Sequence, residues 1–156
     1  MLVYRIGTTK YANDLSGEGA RLYGGRWNHP GIACIYSAET RALSVLEFTA
    51  HVAIDTLPKS LSITCIEVPD DGIKTISPST LPSTWKAWPH SKSSRDFGTK
   101  LLEACKFLVL KFPSAIVPDE YNYVINPLHT RMKEVKIKEV KEFLWDTRLK
   151  STRHSK

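Results

Sequence analysis

The run Gly24-Gly25-Arg26-Trp27-Asn28 holds the first residues whose types and order could do chemistry. Two successive glycines let the backbone turn sharply and come close to a large ligand. The arginine that follows offers five donors in a rigid fork, which suits a pyrophosphate group. The alternative interpretation is a plain β-turn followed by a surface arginine that stacks on Trp27.

Glu47 is the second candidate. It follows Leu43 by four residues and precedes Ala50 by three, so helical spacing places it on the predicted core-facing side. A carboxylate in that position must be paired or functional, because burying it alone costs too much free energy. The alternative is a structural salt bridge to Arg5 or Arg26.

Four further polar residues accompany apolar segments. Tyr36 ends a predicted strand, where it could line a site or simply pack half-buried. Ser114 is a lone polar residue in an apolar stretch with no GxSxG motif around it, so we expect a hydrogen-bonding role rather than a nucleophile. Asn122 and Asn126 could touch a ligand, satisfy buried backbone or form the turn near Pro127.

Short strands and two helices must position these side chains. Apolar and β-prone runs predict strands at residues 2–7, 32–37, 61–68, 108–112, 121–125 and 135–145, although the last could also form one helical face. Periodicity predicts helices from 41 to about 52 and from 94 to 105. Thr40 is suited to cap the first helix, whose predicted apolar stripe is Leu43, Leu46 and Ala50.

Two long connections complete the chain. Residues 8–25 predict a polar, glycine-bearing loop, long enough to suggest function. Residues 76–93, rich in proline, serine and tryptophan, predict a loop that docks through Trp85 and Trp88. The elements together predict one α+β domain with a mixed or antiparallel sheet.

Composition favours a globular domain. The chain has 156 residues, of which 42% are hydrophobic and 24% charged. The net charge is +6, and residues 131–156 alone carry five more Lys and Arg than Asp and Glu. We expect residues 151–156 to form a solvated basic tail. A non-enzymatic nucleic-acid-binding module is the distant alternative, and no recognised nucleic-acid-binding signature supports it.

Cysteine and histidine usage indicates a reducing compartment and no metal centre. The three cysteines and five histidines are scattered and lack the spacing of metal ligands. No signal-peptide pattern opens the chain, and no apolar run approaches the ~20 residues that a bilayer requires. We therefore expect a cytoplasmic protein without a membrane association.

Taken in order, these motifs resemble those of the RES-domain proteins, which are named for an Arg, a Glu and a Ser. The matching stretches are YRIG (4–7), GEGARLYGGRWN (17–28), IYSAETRALSVLEF (35–48), FGTKLLEA (97–104), FPSAIVPDEYNYVINP (112–127) and FLWDTRL (143–149). The resemblance covers residues 1–150. It implies that the family's Arg, Glu and Ser are Arg26, Glu47 and Ser114, and that its site tyrosine and early arginine are Tyr36 and Arg5.

The resemblance also implies a fold and a function. RES proteins have a split-sheet fold similar to that of ADP-ribosyltransferases. They act as toxins that deplete NAD+ by hydrolysis or phosphorolysis, and some modify proteins with ADP-ribose. They pair with an Xre-type helix-turn-helix antitoxin and tend to form homodimers. NAD+ would be a substrate here, so no cofactor and no metal is expected.

The resulting hypothesis is a toxin that cleaves the nicotinamide–ribose bond of NAD+. Arg5 and Arg26 would hold the pyrophosphate, with Gly25 permitting close approach, and Tyr36 would stack on the nicotinamide end. Glu47 would stabilise the positive charge that grows on the ribose. Ser114 would hydrogen-bond the nicotinamide amide or a phosphate. Asn126 is the remaining predicted substrate contact. The leading alternative is a mono-ADP-ribosyltransferase, which would use the same residues, and a second is a member that only binds its antitoxin.

Overall fold

The structure is a computed structural model that describes residues 1–150. The predicted basic tail at 151–156 lies outside the described residues. The strands are β1 (Leu2–Thr8), β2 (Ile35–Ala38), β3 (Leu61–Glu67), β4 (Ile73–Thr75), β5 (Val109–Pro113), β6 (Tyr121–Ile125) and β7 (Lys136–Phe143). The helices are α1 (Glu18–Tyr23), α2 (Arg41–His51) and α3 (Lys92–Ala104). The sequence predicted all of these strands except β4, and strand is the correct assignment for the ambiguous segment 135–145.

The seven strands form one mixed sheet in the order β4-β5-β6-β2-β1-β3-β7. Among the strands described within residues 1–150, only the β4–β5 pair is parallel. Strands β1 and β3 pair along their whole lengths, whereas β1 and β2 share the single pair Tyr4 and Ala38. The sheet is therefore continuous but opens between β1 and β2, and the prediction of one α+β domain with a mixed sheet is confirmed.

Helix α2 crosses this opening. Strands β2 and β3 both run antiparallel to β1, so they are parallel to each other, and α2 makes the connection between them. The helix begins where the Thr40 hydroxyl accepts a 3.0 Å hydrogen bond from the backbone N–H of Leu43, as the sequence predicted. It packs against both β1 and β2.

The predicted apolar stripe of α2 is wrong in two of its three positions. Leu43 is buried, but Leu46 is 41% exposed and Ala50 is exposed as well. The second buried residue of the helix is Ser44. The side that faces the sheet is thus set by Leu43 and Ser44, and it turns Glu47 toward the sheet opening rather than into a continuous apolar core.

The segment predicted as a polar loop at 8–25 contains helix α1. This helix has six residues and none of them is buried, so it lacked the apolar periodicity by which helices are recognised in sequence. Gly17 and Gly24 flank it, both with positive φ. The segment therefore forms a short surface helix that borders the opening.

Helix α3 packs on the other half of the sheet. The Ser91 hydroxyl caps it, so it begins two residues before the predicted start. Gly98 lets the helix approach the backbone of Trp27 so closely that a Cβ atom would collide with it. Trp27 in turn stacks on Phe112 with ring centroids 4.1 Å apart. This packing fixes the segment that carries Arg26.

The loop at 76–93 contacts the domain through both of its tryptophans. Trp85 is buried and its ring lies 6.2 Å from that of Trp27, as the sequence predicted. Trp88 is 63% exposed and does not reach the core, but its ring lies 5.0 Å from that of His51 on α2, so it also contacts the domain. None of the helices described between residues 1 and 150 is both long and apolar enough to cross a membrane.

Candidate active site

A cleft of about 430 Å³ lies in the opening between β1 and β2. Its walls come from β1, β2, α1, α2 and the Gly24–Trp27 segment, with one residue from β6 and one from the 76–93 loop. Five of the predicted site residues line it: Arg5, Gly25, Arg26, Tyr36 and Glu47. The volume falls in the range of small-molecule sites.

Glu47 presents the carboxylate of this cleft. Its Oε1 atom accepts a 2.7 Å hydrogen bond from the Ser114 hydroxyl and a 2.5 Å hydrogen bond from the Asn122 side-chain amide. Within residues 1–150 it forms no salt bridge with Arg5 or Arg26, so the structural ion pair considered from sequence is not what holds it. Two neutral donors orient the carboxylate and leave its charge uncompensated by direct contact.

Ser114 lies behind Glu47 rather than on the cleft wall. Its side chain is fully buried, and its Oγ accepts backbone hydrogen bonds of 3.1 Å from both Ile116 and Val117. Those two bonds occupy the lone pairs of the oxygen, so its only proton is directed at Glu47. The structure therefore places Ser114 where it can orient the carboxylate, not where it would meet a ligand directly.

Arg26 is anchored by the 76–93 loop. Its Nη1 atom donates to the carbonyl oxygens of Trp85 and Ala87. No hydrogen-bond acceptor within residues 1–150 meets its Nε or Nη2 atoms, so this edge of the guanidinium can receive a ligand. Burial lowers the pKa of Arg26, and the charge of Glu47 opposes that shift. Because Trp27 is buried against Phe112, Arg26 is not the tryptophan-stacked surface residue of the alternative interpretation.

Tyr36 is locked in the cleft wall by its hydroxyl. That group donates a 2.7 Å hydrogen bond to the Asn28 side chain and accepts one of 2.9 Å from the Trp27 backbone. Burial raises the pKa of Tyr36 well above its usual value, so the hydroxyl stays protonated. Gly25 packs directly on the ring, since a Cβ there would lie 2.6 Å from the tyrosine oxygen.

Arg5 lines the cleft but is engaged elsewhere. Its terminal nitrogens donate to the carbonyl oxygens of Tyr11, Ala12 and Asp14 at 2.8–3.1 Å. Burial lowers the pKa of Arg5, and Asp14 partly offsets that effect. Arg5 thus stabilises the turn that follows β1 and contributes positive charge to the cleft.

Asn126, predicted as a substrate contact, does not line the cleft. Its side-chain nitrogen donates a 2.8 Å hydrogen bond to the Leu102 carbonyl at the end of α3, and its oxygen accepts one of 3.1 Å from the Leu128 backbone. The residue is buried, and both ends of its amide are occupied. The turn-forming alternative weighed from sequence is the correct one.

Three polar residues of the cleft were not predicted from the sequence as site residues. Asn122 had been noted as a possible ligand contact, and it orients Glu47. His51 lines the cleft one helical turn after Glu47, and helical spacing from Glu47 would have identified it. His90 also lines the cleft, from the 76–93 loop, and no sequence pattern indicated it.

Comparison with known families identifies the family of this chain. The family model described as RES domain matches residues 2–146. The chain belongs to the RES domain family. The resemblance inferred from the sequence motifs is thereby confirmed.

Individual RES relatives match over most of their length. A protein of Sphingobium sp. (strain YBL2) named "Prs ADP-ribosylating toxin" is 40% identical over 152 residues, which cover 94% of this chain and 94% of the relative. Proteins named "Toxin Res" from Yersinia enterocolitica and Pseudomonas putida are 38% and 36% identical. They match 83% and 96% of this chain and 86% and 99% of their own lengths.

The fold of this RES domain is similar to that of a solved structure. The crystal structure of the M. tuberculosis MbcT-MbcA toxin-antitoxin complex contains a chain that matches with a TM-score of 0.73. The match covers 91% of this chain and 83% of that chain at 19% sequence identity. At that identity the likeness concerns the fold.

Proposed function

We propose that this RES domain cleaves the nicotinamide–ribose bond of NAD+. The observation that carries the proposal is the Glu47 carboxylate, which two neutral donors fix at the wall of a cleft that also exposes the free edge of Arg26. A fixed negative charge beside a cationic anchor fits a substrate that carries a pyridinium ribose at one end and phosphates in the middle.

Glu47 would act on the charge that develops in the reaction. As the bond from the ribose anomeric carbon to the nicotinamide nitrogen breaks, its electron pair neutralises the pyridinium and the ribose becomes an oxocarbenium-like cation. The carboxylate stabilises that cation electrostatically. Water or phosphate then adds to the anomeric carbon, and water loses a proton, which gives ADP-ribose or its phosphate ester.

The remaining residues would bind and orient the substrate. Arg26 holds the pyrophosphate through Nε and Nη2, while Arg5 adds long-range positive charge because its terminal nitrogens are engaged by carbonyls. Tyr36 offers only its ring, since its hydroxyl is bonded to Asn28 and Trp27. Ser114 orients Glu47, which replaces the direct ligand contact expected from the motifs.

A toxin role with an antitoxin partner follows from the relatives. Curated relatives are named "Toxin Res", and the solved structure with the similar fold is a toxin–antitoxin complex. We therefore assign this chain to the toxin side of a toxin–antitoxin pair. From the motif resemblance we further propose that an Xre-type helix-turn-helix antitoxin covers the cleft and that the toxin forms a homodimer.

A second candidate function is mono-ADP-ribosylation of a protein. The name of the Sphingobium relative favours it, and the cleft residues would serve it equally because only the acceptor differs. NAD+ labelled in the adenine moiety separates the two reactions. Label that remains on protein supports transfer, and label released as small molecules supports hydrolysis or phosphorolysis.

The decisive experiment measures the NAD+ concentration over time with purified protein, with and without phosphate. Glu47→Gln should abolish most consumption while preserving the fold, because a glutamine oxygen can still accept from Ser114 and Asn122. Glu103→Gln, an exposed residue on α3, is the matched control and should behave as wild type. Consumption by Glu47→Gln at the wild-type rate contradicts the electrostatic role of the carboxylate.

A further inference from the structure

Two histidines and a tryptophan form a cluster at the side of the cleft formed by α2 and the 76–93 loop. The ring centroid of Trp88 lies 5.0 Å from that of His51 and 4.7 Å from that of His90, both in edge-to-face geometry. The two imidazole centroids are 5.4 Å apart. His51 is fixed by a 2.6 Å hydrogen bond from its Nδ1 to the Glu47 carbonyl oxygen. The cluster therefore joins the loop to the helix turn that carries the carboxylate.

The 76–93 loop, which carries His90, also holds the Arg26 side chain, so the loop fixes both side chains relative to each other. The carbonyl oxygens of Trp85 and Ala87 bind one nitrogen of the guanidinium, a few residues before His90 in the chain. Both side chains line the cleft. Arg95 lies close behind them and donates a 3.3 Å hydrogen bond to the Gly25 carbonyl.

His90 is a neutral group in a positive environment. Burial, together with the charges of Arg26, His51 and Arg95, lowers the pKa of His90 to about 4. Its Nδ1 atom is shielded and has no hydrogen-bond partner within the described chain. An unpaired buried N–H is rarer than an unpaired acceptor, so we assign the proton of the neutral ring to Nε2. Nε2 is the ring nitrogen that is not shielded, so it is the one that a ligand in the cleft can meet.

We propose that His90 is a second phosphate ligand beside Arg26, donating its Nε2–H to a phosphate oxygen while Arg26 binds through its free edge. The proposal rests on the proposed function, because NAD+ would supply the phosphate. Free inorganic phosphate, the co-substrate of phosphorolysis, is the other source of the same chemistry. The ring is uncharged, and the surrounding guanidinium groups attract the anion to it.

The test compares ligands with and without phosphate. Isothermal calorimetry would use ADP-ribose, inorganic phosphate and nicotinamide riboside with wild type, His90→Phe and His90→Gln. Phenylalanine keeps the ring that packs on Trp88 but lacks the donor, whereas the glutamine amide can place an N–H near the position of Nε2. His29→Gln is the matched control, because His29 pairs with Asp96 outside the cleft.

His90→Phe should bind ADP-ribose roughly tenfold or more weakly, as expected for the loss of a hydrogen bond to a charged group. His90→Gln should recover part of that loss, and nicotinamide riboside should bind all variants alike. Phosphate that binds alone in a His90-dependent manner identifies free phosphate as the ligand, and a His90 effect confined to ADP-ribose identifies the dinucleotide phosphate. Wild-type ADP-ribose affinity in His90→Phe, or an equal loss for nicotinamide riboside, overturns the proposal.

A second readout follows the proton of His90. In an NMR titration the imidazole should titrate near pH 4 without ligand, and its pKa should rise when ADP-ribose binds, because the anion offsets Arg26, His51 and Arg95. If the pKa of His90 does not change when ADP-ribose saturates the protein, the proposed contact is wrong.

These outcomes also separate the two proposals. His90-dependent ADP-ribose binding without NAD+ consumption contradicts cleavage and keeps the phosphate ligand. NAD+ consumption with His90-independent binding contradicts only the phosphate ligand. A wild-type protein that consumes no NAD+ and binds neither ADP-ribose nor inorganic phosphate contradicts both proposals.

Discussion

The Ser114 hydroxyl donates a 2.7 Å hydrogen bond to the Glu47 carboxylate, although the two residues are 67 positions apart in the chain. The serine is fully buried and does not line the cleft, so any ligand meets its effect only through the carboxylate. The serine and glutamate of the family motif are therefore in direct contact, and in the proposed mechanism Ser114 orients the carboxylate while Glu47 acts on the substrate.

Ser114→Ala should reduce kcat roughly tenfold or more with little change in KM, because the carboxylate loses one of its two orienting donors and the ligand loses no contact. The unfolding free energy should also fall by about 1–3 kcal/mol, since the backbone N–H groups of Ile116 and Val117 lose their acceptor. Steady-state kinetics and urea unfolding measure the two effects. A raised KM with unchanged kcat would instead indicate direct ligand contact.

Arg26→Lys should bind ADP-ribose about tenfold more weakly, because an ammonium group cannot bind the loop carbonyls and a phosphate through separate edges of one planar fork. Calorimetry measures the affinity. Arg148→Lys, at an exposed residue paired with Asp146, is the matched control and should retain wild-type affinity. If Arg26→Lys also binds as tightly as wild type, the phosphate lies elsewhere.

Gly25→Ala should displace the Tyr36 side chain or destabilise the fold by about 1–3 kcal/mol. The added Cβ would lie 2.6 Å from the hydroxyl oxygen and 2.8 Å from two ring carbons of a side chain that two hydrogen bonds hold in place. Gly7→Ala is the control, since nothing lies within 4 Å of a Cβ at that position. Thermal unfolding and ADP-ribose binding report the two outcomes. Equal stability and equal affinity in the two variants would show that the contact is easily relieved.

In Cys34→Ala the free energy of unfolding should fall less steeply at alkaline pH than in the wild type. Burial raises the pKa of Cys34 from its ordinary value of 9.0 to about 12, so its folded thiol keeps a proton that the unfolded chain releases. The contribution of the protonated thiol to the free energy of unfolding is fully present below pH 9.0. It is lost as the pH rises toward 12, at about 1.4 kcal/mol per pH unit. Urea unfolding at pH 8 and pH 10.5 should show a smaller decline in the variant. Parallel declines would place the alkaline sensitivity in other groups.

The sequence by itself determined the family and the elements that are encoded locally. Thr40 and the periodicity after it specify helix α2, and the alternating apolar residues of 61–68 specify β3, because caps and periodicity act within about ten residues. Glu47 was also selected from the chain, although two of the three apolar positions used to place it, Leu46 and Ala50, are exposed. Its role as the acting carboxylate stays a prediction.

Only the tertiary structure decided which side chains meet. Ser114 and Asn122 reach Glu47 from 67 and 75 positions away, a meeting that depends on β6 pairing with β2 and on the register that sets Asn122 opposite Ala38. The strand order also opens the sheet between β1 and β2, where the cleft forms. Asn126 was assigned to the site from its type alone, and the fold places its amide at the end of α3 instead. Residue type and local pattern specify what a side chain can do, whereas strand order and register decide which partners lie within hydrogen-bonding distance.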